Sequence, residues 1–145
     1  MSVRFSRENQ KKLLHDALEL TRSTGWKSDA VAFSVRRETH AAVDGIGVFQ
    51  SFGGGSAEFH FGVYDQRILK SVIKGFVTVA FHPRFFNLER LLATFEADNA
   101  ASQIVALKVG FEFESRVRAG IFNGSDAILM SLSRSDAAKW VGCLS

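Results

Sequence analysis

The sequence predicts an α/β domain in which a mixed, mostly antiparallel sheet packs against helices. Three stretches carry that expectation. Arg67 to Phe81 places Ile68, Leu69, Val72, Ile73, Phe76, Val77, Ala80 and Phe81 on one helical stripe. Ala57 to Tyr64 alternates, with Ala57, Phe59, Phe61 and Val63 on one face and Glu58, His60, Gly62 and Tyr64 on the other. Asp98 to Phe111 reads as a short helix with both ends marked, set between strand-like segments at 91–96 and from Glu112 onward.

In chain order, residues 7–23 form an amphipathic helix. Ser6 is its expected cap, and Leu13, Leu14, Ala17, Leu18 and Thr21 its buried stripe. His15 falls on the wet side, and Ser23-Thr24-Gly25 ends the helix. Ala30 to Val35 is a strand, and Ala41-Ala42-Val43 continues it or begins another. Asp44-Gly45 is a two-residue hairpin signal, with Ile46 to Phe52 returning as partner. Gly53-Gly54-Gly55-Ser56 has strands on both sides. It is therefore read as a hairpin loop, since phosphate cradles run from a strand into a helix. In the helix over 67–81 Gly75 is a weak point, and His82-Pro83 stops it. Phe85-Phe86 is assigned to the core or to a groove wall.

In the segment 98–111, Asn99 suits the N-cap, Gly110 the left-handed position after the last turn, and Lys108 the negative end of the dipole. Ala101, Ile104, Val105 and Lys108 fall on one stripe. Glu112 to Arg118 and Ala127 to Ser133 are paired strands joined through a turn at Asn123-Gly124. Ala137 to Leu144 closes the chain, with Trp140 packed down.

At 145 residues the chain is expected to be a single domain, 1–145. Fourteen phenylalanines point to a core or groove built on aromatic area. The lone Cys143 rules out an internal disulfide and fits a reduced cytoplasm. No apolar run approaches the ~20 residues of a membrane helix. The net charge of +3 is spread thinly, without the basic patch or stacking motif of a nucleic-acid binder. No metal, membrane or nucleic-acid partner is expected.

The ordered text Asp98-Asn99-x-x-Ser102, Lys108-x-Gly110-Phe111, then Glu112, Glu114 to Arg118 and Asp126 to Leu132, resembles the C-terminal half of GNAT-superfamily N-acetyltransferases. The resemblance is good over 89–134 and fair over 57–81. The compressed N-terminal half is similar to small members encoded by bacteriophages. The resemblance implies a GNAT fold with helices on both sides of the sheet and a central strand splayed from its neighbour. Acetyl-CoA would be the cofactor, and an amine of a protein or small molecule the acceptor. A homodimer or a protein partner is compatible with it.

Direct acetyl transfer needs a base for the amine, a stabilised oxyanion and an accommodated thiolate, with no covalent intermediate. Glu58 or His60 is the expected base; His has a reference pKa of about 6.5. Glu96 stands in reserve. The resemblance implies that the backbone at Phe61 and Val63 pairs with the pantetheine arm, that Asn99 contacts it, and that Ser102 approaches the thiol. The family's pyrophosphate loop, Gln/Arg-x-x-Gly-x-Gly/Ala, falls at Asp65-Gln66-Arg67-Ile68-Leu69-Lys70, where both glycines are missing. Arg67, Ile68 and Lys70 are the expected cofactor contacts there. Those missing glycines also support an alternative: a degenerate GNAT-fold protein that binds and modulates another protein without catalysis.

Overall fold

The computed structural model describes residues 3–122 and 124–140. In chain order the elements are β1 (Val3–Ser6), α1 (Gln10–Thr21), β2 (Val31–Arg37), β3 (Gly45–Gly53), β4 (Ser56–Val63), a 3-10 turn (Gln66–Ile68), α2 (Leu69–Phe81), β5 (Arg90–Glu96), α3 (Ala100–Val109), β6 (Glu112–Phe122), β7 (Ser125–Ser133) and α4 (Arg134–Trp140). The strands form one sheet in the order β1-β2-β3-β4-β5-β7-β6. Every neighbouring pair is antiparallel except β4 and β5. That parallel pair needs a crossover, and α2 provides it.

Residue type assigns the two faces. Phe33, Phe49, Phe59, Leu91, Ala93 and Met130 point to the side covered by α2, α3 and α4. Phe49 stacks on Phe59 at 4.8 Å, and Phe76 of α2 meets both rings. These three rings are almost fully buried, each worth ~1.5–3 kcal/mol against exposure. The aromatic core expected from the phenylalanine count is present. The opposite face holds a smaller core, where Leu13 and Ala17 of α1 pack on Ala32, Ile46 and Val48. Helices thus flank the sheet on both sides, but among the described residues α1 packs mainly on β2, β3 and β4, leaving a groove on this face over β5, β7 and β6.

Several local expectations are corrected. Ser6 does not cap α1; it ends β1, and Asn9, in the left-handed region, precedes the helix without a side-chain cap bond. Arg22, also left-handed, takes the C-terminal place expected of Ser23 to Gly25. Residues 41–43 are not a strand, and Asp44-Gly45 is not a two-residue turn. Asp44 instead closes a longer loop: its carboxylate accepts from the Arg37 N–H at 2.8 Å and from Arg37 Nη2 at 2.7 Å. At Gly75 a Cβ would lie 2.0 Å from the Phe5 ring, so a side chain there would have to displace that ring. The buried stripe of α3 is Ser102, Ala106 and Val109, while Ile104 faces solvent. Phe86 joins the core and Phe85 is exposed. The Gly53–Ser56 hairpin and both caps of α3 are as expected, with Gly110 at φ 112°. Asn123, the Trp140 side chain and Cys143 lie outside the described residues. Among the described residues no helix is long and apolar enough to cross a membrane.

The Arg37 hydrogen bond, with smaller help from His40, holds the Asp44 carboxyl down at about 2, against the opposing effect of its burial. A carboxyl lowered in the fold stabilises it above the ordinary carboxylate range and loses that contribution as pH falls towards the folded value. Asp44→Asn is expected to cost about 1–3 kcal/mol at pH 7 in urea unfolding. The gap to the parent should close as pH falls from about 4 towards 2.

Candidate functional site

The parallel ladder between β4 and β5 is short. It runs Ser56↔Arg90, Ala57↔Leu91, Glu58↔Leu92 and Phe59↔Ala93, then stops, although β4 continues to Val63 and β5 to Glu96. Each strand keeps its outer partner beyond that point: Val63 pairs with Gly45 and Glu96 with Ala127. The inner edges therefore part, leaving backbone groups of His60 to Val63 and Thr94 to Glu96 without a strand partner across the gap. An unpaired strand edge is a template for another extended, amide-bearing chain. The gap opens into a cleft of about 130 Å³. On its helical side the Phe61 and Phe95 rings meet edge to face at 6.0 Å. On the other side Leu20 at the end of α1 lies on Gly62, where a Cβ would come 2.6 Å from Leu20 Cγ and 2.9 Å from the Leu20 carbonyl oxygen.

Glu58 and His60 project from β4 on the face shared with α1. The alternation that the sequence shows brings them together, with His60 Nε2 3.7 Å from Glu58 Oε2. Gln50 from β3 donates to Glu58 at 3.3 Å and lies 3.5 Å from His60 Nε2. The other ring nitrogen of His60, Nδ1, lies 3.4 Å from Thr94 Oγ1 across the opening gap. Trp26 stands edge-on to the imidazole at 5.6 Å, itself fixed by donating to the Leu14 carbonyl at 2.7 Å. Lys27 Nζ is 3.7 Å from Glu58 Oε1. The His60 imidazole beside Glu58 depresses its carboxyl to about 2, with Lys27 adding to the effect and partial burial opposing it. Glu58 is thus a fixed anion next to a nearly buried histidine.

This cluster also borders a second space. A groove of about 210 Å³ runs over the open sheet face, lined by Glu58, Leu92, Thr94, Val117 and Leu129 along with His60. Its floor is largely aliphatic, and Glu58 is the one carboxylate among its described lining residues.

At the other end of the cleft, Asn99 Oδ1 accepts from the Ser102 N–H at 3.3 Å and so caps α3. Both residues line the cleft, and Ser102 is buried there. Glu96 is held by Arg22 Nη1 at 2.9 Å, while its Oε1 is buried without a partner. The reserve base of the sequence reading is thus an ion-paired residue at the cleft wall.

The segment expected to grip a cofactor phosphate is arranged differently. Asp65 caps the 3-10 turn, accepting from the Arg67 N–H at 2.9 Å. Ile68 is fully buried, and its N–H donates to the Asp65 carbonyl at 3.3 Å. Lys70 borders a separate depression with Val3 and Lys74. Of the expected cofactor contacts, the structure brings Phe61, Val63, Asn99 and Ser102 to the cleft and leaves Arg67, Ile68 and Lys70 outside its lining. Tyr64, expected on the polar face of β4, lies beyond the end of that strand and is exposed.

An acyl-CoA can be tested against these residues in two parts. The pantetheine arm fits: an extended amide chain meets the unpaired edges of β4 and β5. The diphosphate meets no glycine cradle, because the first turn after β4 is capped by a side-chain carboxylate.

Gln50, Thr94, Trp26 and Arg22 are parts of the site that sequence reasoning missed. Gln50 was findable, since its register opposite Glu58 follows once the Gly53–Ser56 hairpin is fixed. Thr94 and Arg22 reach the site only through the sheet order and the left-handed end of α1.

No protein-family model matches the chain, and no curated protein matches it in sequence. Solved structures do match in shape. A chimera of the Vibrio cholerae spermidine N-acetyltransferase SpeG with hSSAT superposes at TM-score 0.78 and 14% identity, over 94% of this chain and 99% of that one. The Vibrio cholerae spermidine N-acetyltransferase in complex with CoA and spermine matches at 0.75 and 12%, over 93% and 97%. A probable acetyltransferase matches at 0.70 and 14%, over 92% and 94%. The chain therefore has the GNAT acetyltransferase fold.

Arg22 holds a carboxylate whose other oxygen is already buried and unpaired. Removing its guanidinium strands that charge, although Arg22 is itself half exposed, which tempers the effect. Arg22→Ala is expected to destabilise by about 1–3 kcal/mol in denaturant unfolding. Arg22→Ala combined with Glu96→Gln should recover most of the loss.

Proposed function

We propose that this protein is an acyl-CoA-dependent N-acetyltransferase acting on a primary amine, with the 145 residues forming a single domain of that kind. One observation carries the reading: His60 and Thr94 line both the cleft between the parted strands and the groove on the open sheet face. Two spaces that meet at one histidine suit a reaction between two bound molecules, with no nucleophile needed on the protein. The solved neighbours are N-acetyltransferases, one of them in complex with CoA and spermine, which supports an amine acceptor.

When bound, the cofactor supplies an activated acetyl thioester. The rest falls to the chain. The unpaired edge of β4 at Phe61 to Val63 holds an extended arm in register, and Asn99 and Ser102 border it at the start of α3. The acceptor enters over Leu92, Val117 and Leu129, its cationic nitrogen drawn to Glu58. With Nδ1–H donating to Thr94 Oγ1, the lone pair of His60 Nε2, which has Gln50 at 3.5 Å and Glu58 at 3.7 Å beside it, takes the proton the amine must lose. The imidazolium so formed faces Glu58 at 3.7 Å, and the Ser102 hydroxyl in the cleft lining would give the departing sulfur its proton and regain one from solvent. Glu58, already ionised above pH about 2, stabilises that charge and is not the group that titrates during turnover. Confining both reactants to adjoining spaces supplies the proximity term.

The test is acetyl-CoA-dependent thiol release with a set of primary amines. His60→Gln is expected to lower kcat by ~10²–10⁴-fold. Glu58→Gln is expected to lower kcat by a smaller factor. Absence of both turnover and binding of acetyl-CoA at millimolar concentration would end this reading in favour of a non-catalytic binding protein.

A further inference from the structure

We infer that donor recognition in this protein stops at the pantetheine arm, because the place over the start of α2 where a diphosphate would be held is filled by the chain's own Asp65 carboxylate. The inference rests on the acyl-transfer reading above and specifies which part of the donor the protein grips.

A diphosphate is held at a helix start by free amide hydrogens, close backbone approach and cationic side chains. Here each is already committed. The Arg67 N–H donates to Asp65 Oδ1 at 2.9 Å, the Ile68 N–H to the Asp65 carbonyl at 3.3 Å, and the Leu69 N–H to the Gln66 carbonyl. The Arg67 guanidinium closes on the same carboxylate, with Nε at 3.1 and 3.2 Å and Nη2 at 2.8 Å. Arg37 Nη1 reaches it from β2 at 3.0 Å. Two guanidiniums and a backbone amide converging on one anion are the donor set that a phosphate oxygen would take. The arginines and the capping amide together hold the Asp65 carboxyl well below the usual carboxylate range, so the anion persists across working pH. Ile68 and Lys70 stand where glycines would permit close backbone approach, and the Ile68 side chain is buried in the core. Lys70 borders a depression away from the cleft.

The cleft itself has no such obstruction. Gln66 and Leu69 form its rim beside the parted strands, so an arm lying along β4 emerges next to Asp65. A diphosphate brought there meets a carboxylate that already holds both guanidiniums and the capping amide. A donor that ends at the arm does not.

The experiment compares S-acetylpantetheine with acetyl-CoA on the full chain, and repeats both with Asp65→Asn. In the parent, kcat/KM for S-acetylpantetheine should lie within about tenfold of that for acetyl-CoA. Neutralising Asp65 releases the Arg67 guanidinium and Arg37 Nη1 from their anionic partner. The dissociation constant of acetyl-CoA should then tighten by about tenfold, the worth of one added hydrogen bond to a charged group, with S-acetylpantetheine unmoved. If the parent prefers acetyl-CoA by more than a hundredfold, or if Asp65→Asn weakens acetyl-CoA, the diphosphate is held and the inference is overturned while transfer activity stands. If neither donor binds or turns over, the acyl-transfer reading fails and this inference with it. The parent comparison decides the matter even if the variant does not fold.

Discussion

β4 is bonded to β3 along its length, and β5 to β7 from Arg90 to Glu96. Those outer ladders hold the two strands on different courses, and the parallel ladder between them lasts only from Ser56 to Phe59. Packing sets the ends of the opening. Leu20 lies flat against Gly62 on one strand, and Arg22 ties the end of the other through Glu96. Unpaired backbone inside a sheet is costly unless water or a ligand satisfies it. A gap kept open by antiparallel pairing on both sides and by a helix end is thus a feature the fold maintains.

The chemistry follows from what the gap exposes. A strand has two faces, and on β4 they differ in kind: phenylalanines enter the core and a carboxylate and an imidazole face the other way. Because α1 packs mainly on β2 to β4, that polar face opens sideways onto the aliphatic floor of β5, β7 and β6. His60 therefore stands at a crossing of two spaces, buried enough for its contacts to Thr94, Gln50 and Trp26 to fix the ring. Glu58, partly exposed and permanently charged, marks the groove as a place for a cation. At the far end of β4 the Arg37–Asp65–Arg67 group turns the start of α2 from an anion receptor into a closed electrostatic unit.

Much of this was legible in the residues. Period-2 alternation over 57–64 put Glu58 and His60 on one face, and the caps Asn99 and Gly110 bounded α3. The helix over 67–81 stood out because its apolar stripe is broad. Other features were hidden for physical reasons. β1 is four residues long and follows the first two residues of the chain, too short for its pattern to be distinctive. Asp44-Gly45 carries the letters of a tight turn, but the aspartate side chain is used to hold Arg37, so the loop is longer. In α3, burial is decided by which face meets α2, and Ser102 is buried while Ile104 is not. Gly75 looks like a helix weakness, and only the position of Phe5 shows what a side chain there would displace. The missing glycines at 65–70 signalled a changed phosphate site, but not that Asp65 would occupy it.

The parted strands are tested most directly by residue-resolved amide hydrogen exchange on the free protein and with CoA added. The amides of Phe61 to Val63 and Thr94 to Glu96 that are not bonded to β3 or β7 should exchange quickly in the free protein, while those facing the β4–β5 ladder at Ala57 to Phe59 are slow. CoA should slow the former and leave the latter unchanged. Slow exchange along the whole inner edge of β4 without ligand would mean a closed sheet and would contradict the account.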